Sequence, residues 1–121
     1  MDTFTWLVLG HLVGDWVLQN EWMALGKRKR WLTLPGLAHF AVYTAVIAGA
    51  LGCAGYRDAG SLLAALAVVF ISHWLIDASD IVERWMQFYR KGSVPLVELM
   101  VDQTFHLLVS AGVTLWVVRV S

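Results

Sequence analysis

A chain of 121 residues has room for one domain. Hydrophobic residues make up 59% of it and charged residues only 15%, against roughly 25% charged in an ordinary soluble domain, a deficit hard to reconcile with a small soluble protein. A formal net charge of zero gives a polyanion such as nucleic acid no field to follow, and one cysteine, Cys53, excludes a disulfide framework and a cysteine-based zinc motif.

The first apolar stretch covers residues 4–25. No basic segment precedes it, so it reads as a retained span rather than a cleaved leader. Gly10 and Gly14 form a small-xxx-small pair that lets a neighbouring helix approach closely. The basic run Lys27-Arg28-Lys29-Arg30 follows and reads as a topology anchor. The second stretch, 34–54, opens with Pro35 in what would be a first helical turn. The third covers 61–85, and the fourth, 95–118, opens with Pro95. Each has roughly the 20 residues needed to cross a hydrocarbon core about 30 Å thick, and the short connections make successive helices antiparallel neighbours. The expectation is an all-α protein, a single integral-membrane domain over 1–121 built as an antiparallel four-helix bundle.

Seven of the nine Lys and Arg fall in or beside the first and third connections; only Arg57 and Arg119 lie opposite. The positive-inside rule then places the chain in the inner (cytoplasmic) membrane with both termini outside the cytoplasm. Trp22, Trp31 and Trp85 mark the inner boundary and Trp6 and Trp116 the outer one, while Trp16 and Trp74 are expected to pack between helices. The bilayer is the expected partner, with homo-oligomerisation or a larger membrane complex left open and no nucleic acid.

Polar residues within these stretches are few and patterned. The first holds His11, Asp15 and Gln19; the second His39; the third His73, Asp77 and Asp80; the fourth Glu98, Asp102 and His106. Residues four apart share a helical face, so His11/Asp15, His73/Asp77 and Asp102/His106 are one-face pairs. Helices one and three read His then Asp, and the antiparallel fourth reads Asp then His. At about 1.5 Å per residue, Asp15, Asp77 and Asp102 lie about 10–15 Å above the inner boundary and His11, His73 and His106 about 16–21 Å above it. His39 joins the carboxylate level.

Each Asp at the centre of a span costs about 2.5–3.5 kcal/mol on insertion scales, so these side chains must face the interior and find partners. A divalent metal is one such partner, with zinc first and iron or manganese as alternatives. His11, Asp15, His73, Asp77, Asp102 and His106 are the expected ligands. His39 is expected as a ligand or proton shuttle, and Gln19 and Gln103 as groups that orient ligands or substrate. Asp80, Glu83 and Glu98 lie nearer the cytoplasmic interface and read as solvated or as supports behind the ligands rather than as ligands themselves.

The stretch His11-Leu12-Val13-Gly14-Asp15-Trp16-Val17-Leu18-Gln19-Asn20-Glu21-Trp22-Met23 resembles the opening signature of DUF3307, a family of small bacterial and phage membrane proteins. His39, Ser72-His73-Trp74-Leu75-Ile76-Asp77 and Asp102-Gln103-Thr104-Phe105-His106-Leu107-Leu108 match its later pattern, so the resemblance covers nearly the whole chain. The lysine that often follows the first motif corresponds to Lys27. The family's third motif usually continues with a basic residue, where this chain reads Asp77-Ala78-Ser79-Asp80. The resemblance implies a membrane-embedded bundle with polar motif residues and no particular activity.

Three functional readings follow. The first is a metal-binding membrane protein acting as a metal-dependent hydrolase on a lipid-linked or amphipathic substrate. The second is a proton or metal-ion transporter or channel, against which stands the lack of Gly/Pro-broken spans. The third is an accessory subunit of a larger membrane complex.

Overall fold

The computed structural model describes residues 1–27 and 31–120. Arg28, Lys29 and Arg30 of the expected topology anchor lie outside the described residues. Every regular element among the described residues is helical.

Helix α1 (Thr3–Leu12) begins where the Asp2 carboxylate accepts the Thr5 N–H at 2.8 Å, the usual service of an N-terminal cap. It does not run on to residue 25. Over Val13–Val17 it widens into a π turn, in which the Leu18 N–H donates to the Val13 carbonyl five residues back. The chain is extended at Asn20, whose side chain accepts the Met23 N–H and starts α2 (Glu21–Gly26). The break needs no proline: the Asn20 side chain offers the backbone a competing bond that ends one helix and begins another.

Helix α3 (Leu34–Cys53) is capped by Thr33, which accepts the Gly36 N–H and donates its hydroxyl to the Gly26 carbonyl. One side chain thus fastens the end of α2 to the start of α3. Helix α4 (Ala59–Ala78) is capped by Asp58. The third apolar stretch, expected as one helix over 61–85, divides at Ser79, whose backbone is extended, and resumes as the short α5 (Ile81–Phe88). Helix α6 (Pro95–Val120) is the longest.

Helix α1 packs on α3, α3 on α4, α4 on α6, and α6 back on α1. Close approach on the α1–α3 side depends on two glycines. A Cβ on Gly14 would collide with Tyr43, and one on Gly10 would crowd Ala50 and Ile47. Each helix buries one face, with spacings of three and four: Leu7, Gly10 and His11 on α1; Ala65, Val69, His73, Ile76 and Asp77 on α4; Asp102, His106, Ser110, Val113 and Val117 on α6. At the end nearest the chain termini the buried faces are apolar, with Leu7, Tyr43, Ile47, Leu51, Ala65, Val69, Val113 and Val117 in one cluster.

The outward faces are apolar too. Leu63, Ile71, Leu108, Leu115 and Val118 are exposed on α4 and α6. Among the described residues three helices, α3, α4 and α6, are long and apolar enough to cross a membrane. Trp74 donates its indole N–H to the Trp31 carbonyl. Trp16, expected to pack between helices, is instead half exposed, because it lies one turn beyond the exposed Leu12, off the packed face that Gly10, His11, Gly14 and Asp15 occupy.

Candidate metal centre

At the other end of the packed faces the buried residues are polar. Asp15 comes from the π turn, His39 from the second turn of α3, and His73 and Asp77 from successive turns of α4. All four are buried, and each offers a ligand atom within 4.8 Å of the others. His39 Nε2 lies 3.3 Å from Asp15 Oδ1 and 3.4 Å from Asp77 Oδ2. His73 Nε2 lies 3.9 and 3.4 Å from the same two oxygens. The two Nε2 atoms are 2.8 Å apart. A tetrahedral ion with bonds of about 2.0–2.1 Å would hold its ligand atoms about 3.3 Å from one another. The observed spacings bracket that value, and two imidazole nitrogens with two carboxylate oxygens suit a borderline divalent metal.

Lys27 shares this place. Its ammonium is 2.7 Å from Asp77 Oδ2, 3.1 Å from Asp15 Oδ1 and 3.5 Å from His39 Nε2, and the residue is only 5% exposed. It was expected at the start of the basic topology anchor. A straight helix would carry Lys27 about 18 Å along the axis from Asp15; the break at residues 18–20 folds it back into contact. Two buried carboxylates demand a cation, and Lys27 supplies one.

Around this set lies a fixed network centred on Gln103. Its side-chain nitrogen donates to Asp15 Oδ2 at 2.9 Å and Asp102 Oδ2 at 3.2 Å. Carboxylates only accept, so the amide orientation is determined, and the Gln103 oxygen must receive the proton of His11 Nε2, at 2.7 Å. His11 Nδ1 then accepts from the Tyr43 hydroxyl, 2.9 Å away. Tyr43 stacks on the His73 ring with centroids 3.8 Å apart. His106 donates from Nε2 to Asp77 Oδ1 at 3.0 Å, so Asp77 faces His106 with one oxygen and the fourfold set with the other.

The residues singled out in sequence are thus sorted. Asp15, His73 and Asp77 stand in the fourfold set, together with His39. Asp15, Asp102 and His106 form a second group with ligand atoms within 4.8 Å of one another. His11 has both nitrogens engaged by Tyr43 and Gln103 and belongs to neither group. Gln103 joins the parts. Gln19, partly buried, lines a cleft of about 290 Å³ with Asp15, Trp16, Ala24, Lys27, Leu99, Asp102 and Gln103. Asp80 is exposed and paired with Arg84 at 2.8 Å. Sequence reasoning missed two contributors, Lys27 and Tyr43. The family's lysine after the first motif was the available signal for Lys27; Tyr43, four residues beyond His39 on the same face, was the signal for the other.

Fold and site together define an all-helical protein with buried His/Asp groups that could hold a metal ion. The chain belongs to the family described as "Protein of unknown function (DUF3307)", whose pattern it matches over residues 3–121. No curated protein and no solved structure matches it.

Proposed function

We propose that this protein is a membrane-embedded four-helix bundle that binds one divalent metal ion, zinc before iron or manganese, through Asp15, His39, His73 and Asp77. The observation that carries this reading is the convergence of four ligand atoms at spacings of 2.8–3.9 Å among the pairs formed by either imidazole. Charge supports it: a dication neutralises two carboxylates, and neutrality is what a low-dielectric interior favours. The placement in the cytoplasmic membrane, termini outward, rests on the apolar outer faces and the distribution of basic residues.

A divalent ion held there would supply a nucleophile from water near neutral pH if it took the water as a fifth ligand beside the four side chains or in place of one carboxylate. This chain would supply the rest of a hydrolytic site from the cleft. Asp102, outside the fourfold set, is placed to take a proton, and Gln103 fixes it relative to Asp15. The cleft mixes Trp16 and Leu99 with Asp15, Gln19 and Asp102, a lining suited to an amphipathic or lipid-linked substrate.

Ion passage is the second reading, and the break in the first segment favours it. Interrupted helices are common at transporter ion sites, and the objection that this chain has none falls with residues 13–20.

Elemental analysis of detergent-purified protein tests the proposal. One equivalent of a transition metal is expected in the wild type, and less than a tenth in His39→Ala and Asp77→Ala. Less than a tenth in the wild type refutes the metal-binding reading. Metal flux into liposomes, without hydrolysis of ester or phosphodiester probes, moves the assignment to transport.

A further inference from the structure

We infer that Lys27 and a divalent cation take turns on the same carboxylates: the lysine is a tethered counter-cation that an incoming metal ion displaces into the adjoining cleft. The inference rests on the metal-binding reading above and concerns how that site is regulated.

The ammonium contacts three of the four proposed ligand atoms, at 2.7, 3.1 and 3.5 Å. The carboxylate side chains beneath it are 3% and 0% exposed. With Lys27 in place the two carboxylates and one ammonium sum to −1. A dication added without moving the lysine would bring the sum to +1 and set two cations within a few ångströms of each other, where repulsion in a poorly solvated interior is large. A dication in place of the lysine brings the sum to zero. Mutual exclusion follows from the charges and the shared oxygens.

The chain gives the lysine a way out. Lys27 ends a six-residue helix, α2, set off from α1 by the break at residues 18–20, and it lines the cleft that Asp15, Gln19, Asp102 and Gln103 also border. An ammonium leaving the fourfold set meets a third carboxylate, Asp102, along the cleft wall. The lysine therefore holds the site together when no ion is bound and sets a threshold that the ion must exceed.

Zinc is the probe. Stripped wild type, Lys27→Met and Lys27→Arg are titrated with zinc against a chromophoric chelator. In parallel, acylation of Lys27 in the wild type is followed by mass spectrometry with and without zinc. The expected results are at least tenfold tighter zinc binding by Lys27→Met, no tightening in Lys27→Arg, and at least tenfold faster acylation of Lys27 when zinc is present. Zinc binding by Lys27→Met alone supports exclusion while removing the metal role from the wild type. Equal or weaker binding by Lys27→Met, or zinc binding with unchanged acylation, overturns exclusion and leaves the metal site standing. Binding by neither protein overturns both. Should Lys27→Met not accumulate, the acylation rates in the wild type decide the matter.

Discussion

The two ends of this helix assembly use the same four segments in opposite ways. Near the chain termini, Leu7, Ile47, Leu51, Ala65, Val69, Val113 and Val117 fill the interior with apolar side chains. Toward the first connection, one or two turns along the same helix faces, Asp15, Lys27, His39, His73, Asp77, Asp102 and His106 fill it with polar ones. Both ends are closely packed, so packing alone does not require charge. The polar end pays a desolvation cost that the apolar end shows to be avoidable, and on the metal-binding reading proposed above a bound cation offsets it.

Mutations at the two ends should therefore separate stability from binding. Asp77→Ala has the largest expected effect. It removes metal, takes from Lys27 the nearer of its two carboxylates while Asp15 remains, and takes from His106 its acceptor, a loss of about 3 kcal/mol, the low end for deleting one partner of a buried pair, read by chemical unfolding in detergent. Metal loss without destabilisation would show that Lys27 does not depend on Asp77. Gln103→Leu is next. It deletes three hydrogen bonds, each worth about 0.6 kcal/mol in a membrane bundle, for a total of about 2 kcal/mol. Metal stoichiometry should be unchanged, because Gln103 contacts Asp15 through the oxygen the fourfold set does not use. Ile47→Val, at the apolar end, should cost about 1 kcal/mol and leave metal content and affinity as they were. A drop in affinity there would mean that the two ends are coupled.

The smallest effect belongs to the surface. The hydrogen bond from Arg84 holds the Asp80 carboxyl below the usual carboxylate range. A depressed value contributes stability above the unfolded group's pKa and loses it as pH falls through the folded one. Asp80 is fully exposed to screening, so Asp80→Ala should show no change in unfolding midpoint between pH 4 and 7.

Much of this was legible in the sequence because it is local. The pairs His73/Asp77 and Asp102/His106 are four apart, and four-residue spacing fixes a shared face whatever the rest of the chain does. The reversed order on the antiparallel helix already implied that the pairs meet. The break after Val17 was not legible: it contains no proline, and Trp16, Val17 and Leu18 continue the apolar run. With the break unseen, Lys27 was carried about 18 Å away and read as part of a basic anchor. His11 illustrates the opposite difficulty. It stands in register with the other histidines and touches the His106 ring at a centroid distance of 5.2 Å, yet Tyr43 and Gln103, from two other helices, take both of its nitrogens. Four-residue spacing places Tyr43 on the His39 face, but which side chain it pairs with is set by tertiary packing between helices.

X-ray absorption at the zinc edge of the loaded, detergent-solubilised protein interrogates the centre itself. The fourfold centre implies about four nitrogen or oxygen neighbours at about 2.0–2.1 Å, with the outer-shell scattering of two imidazoles, both lost together in the His39→Ala, His73→Ala double variant. An ion that keeps its imidazole signature in that variant, or that shows none in the wild type, would contradict it.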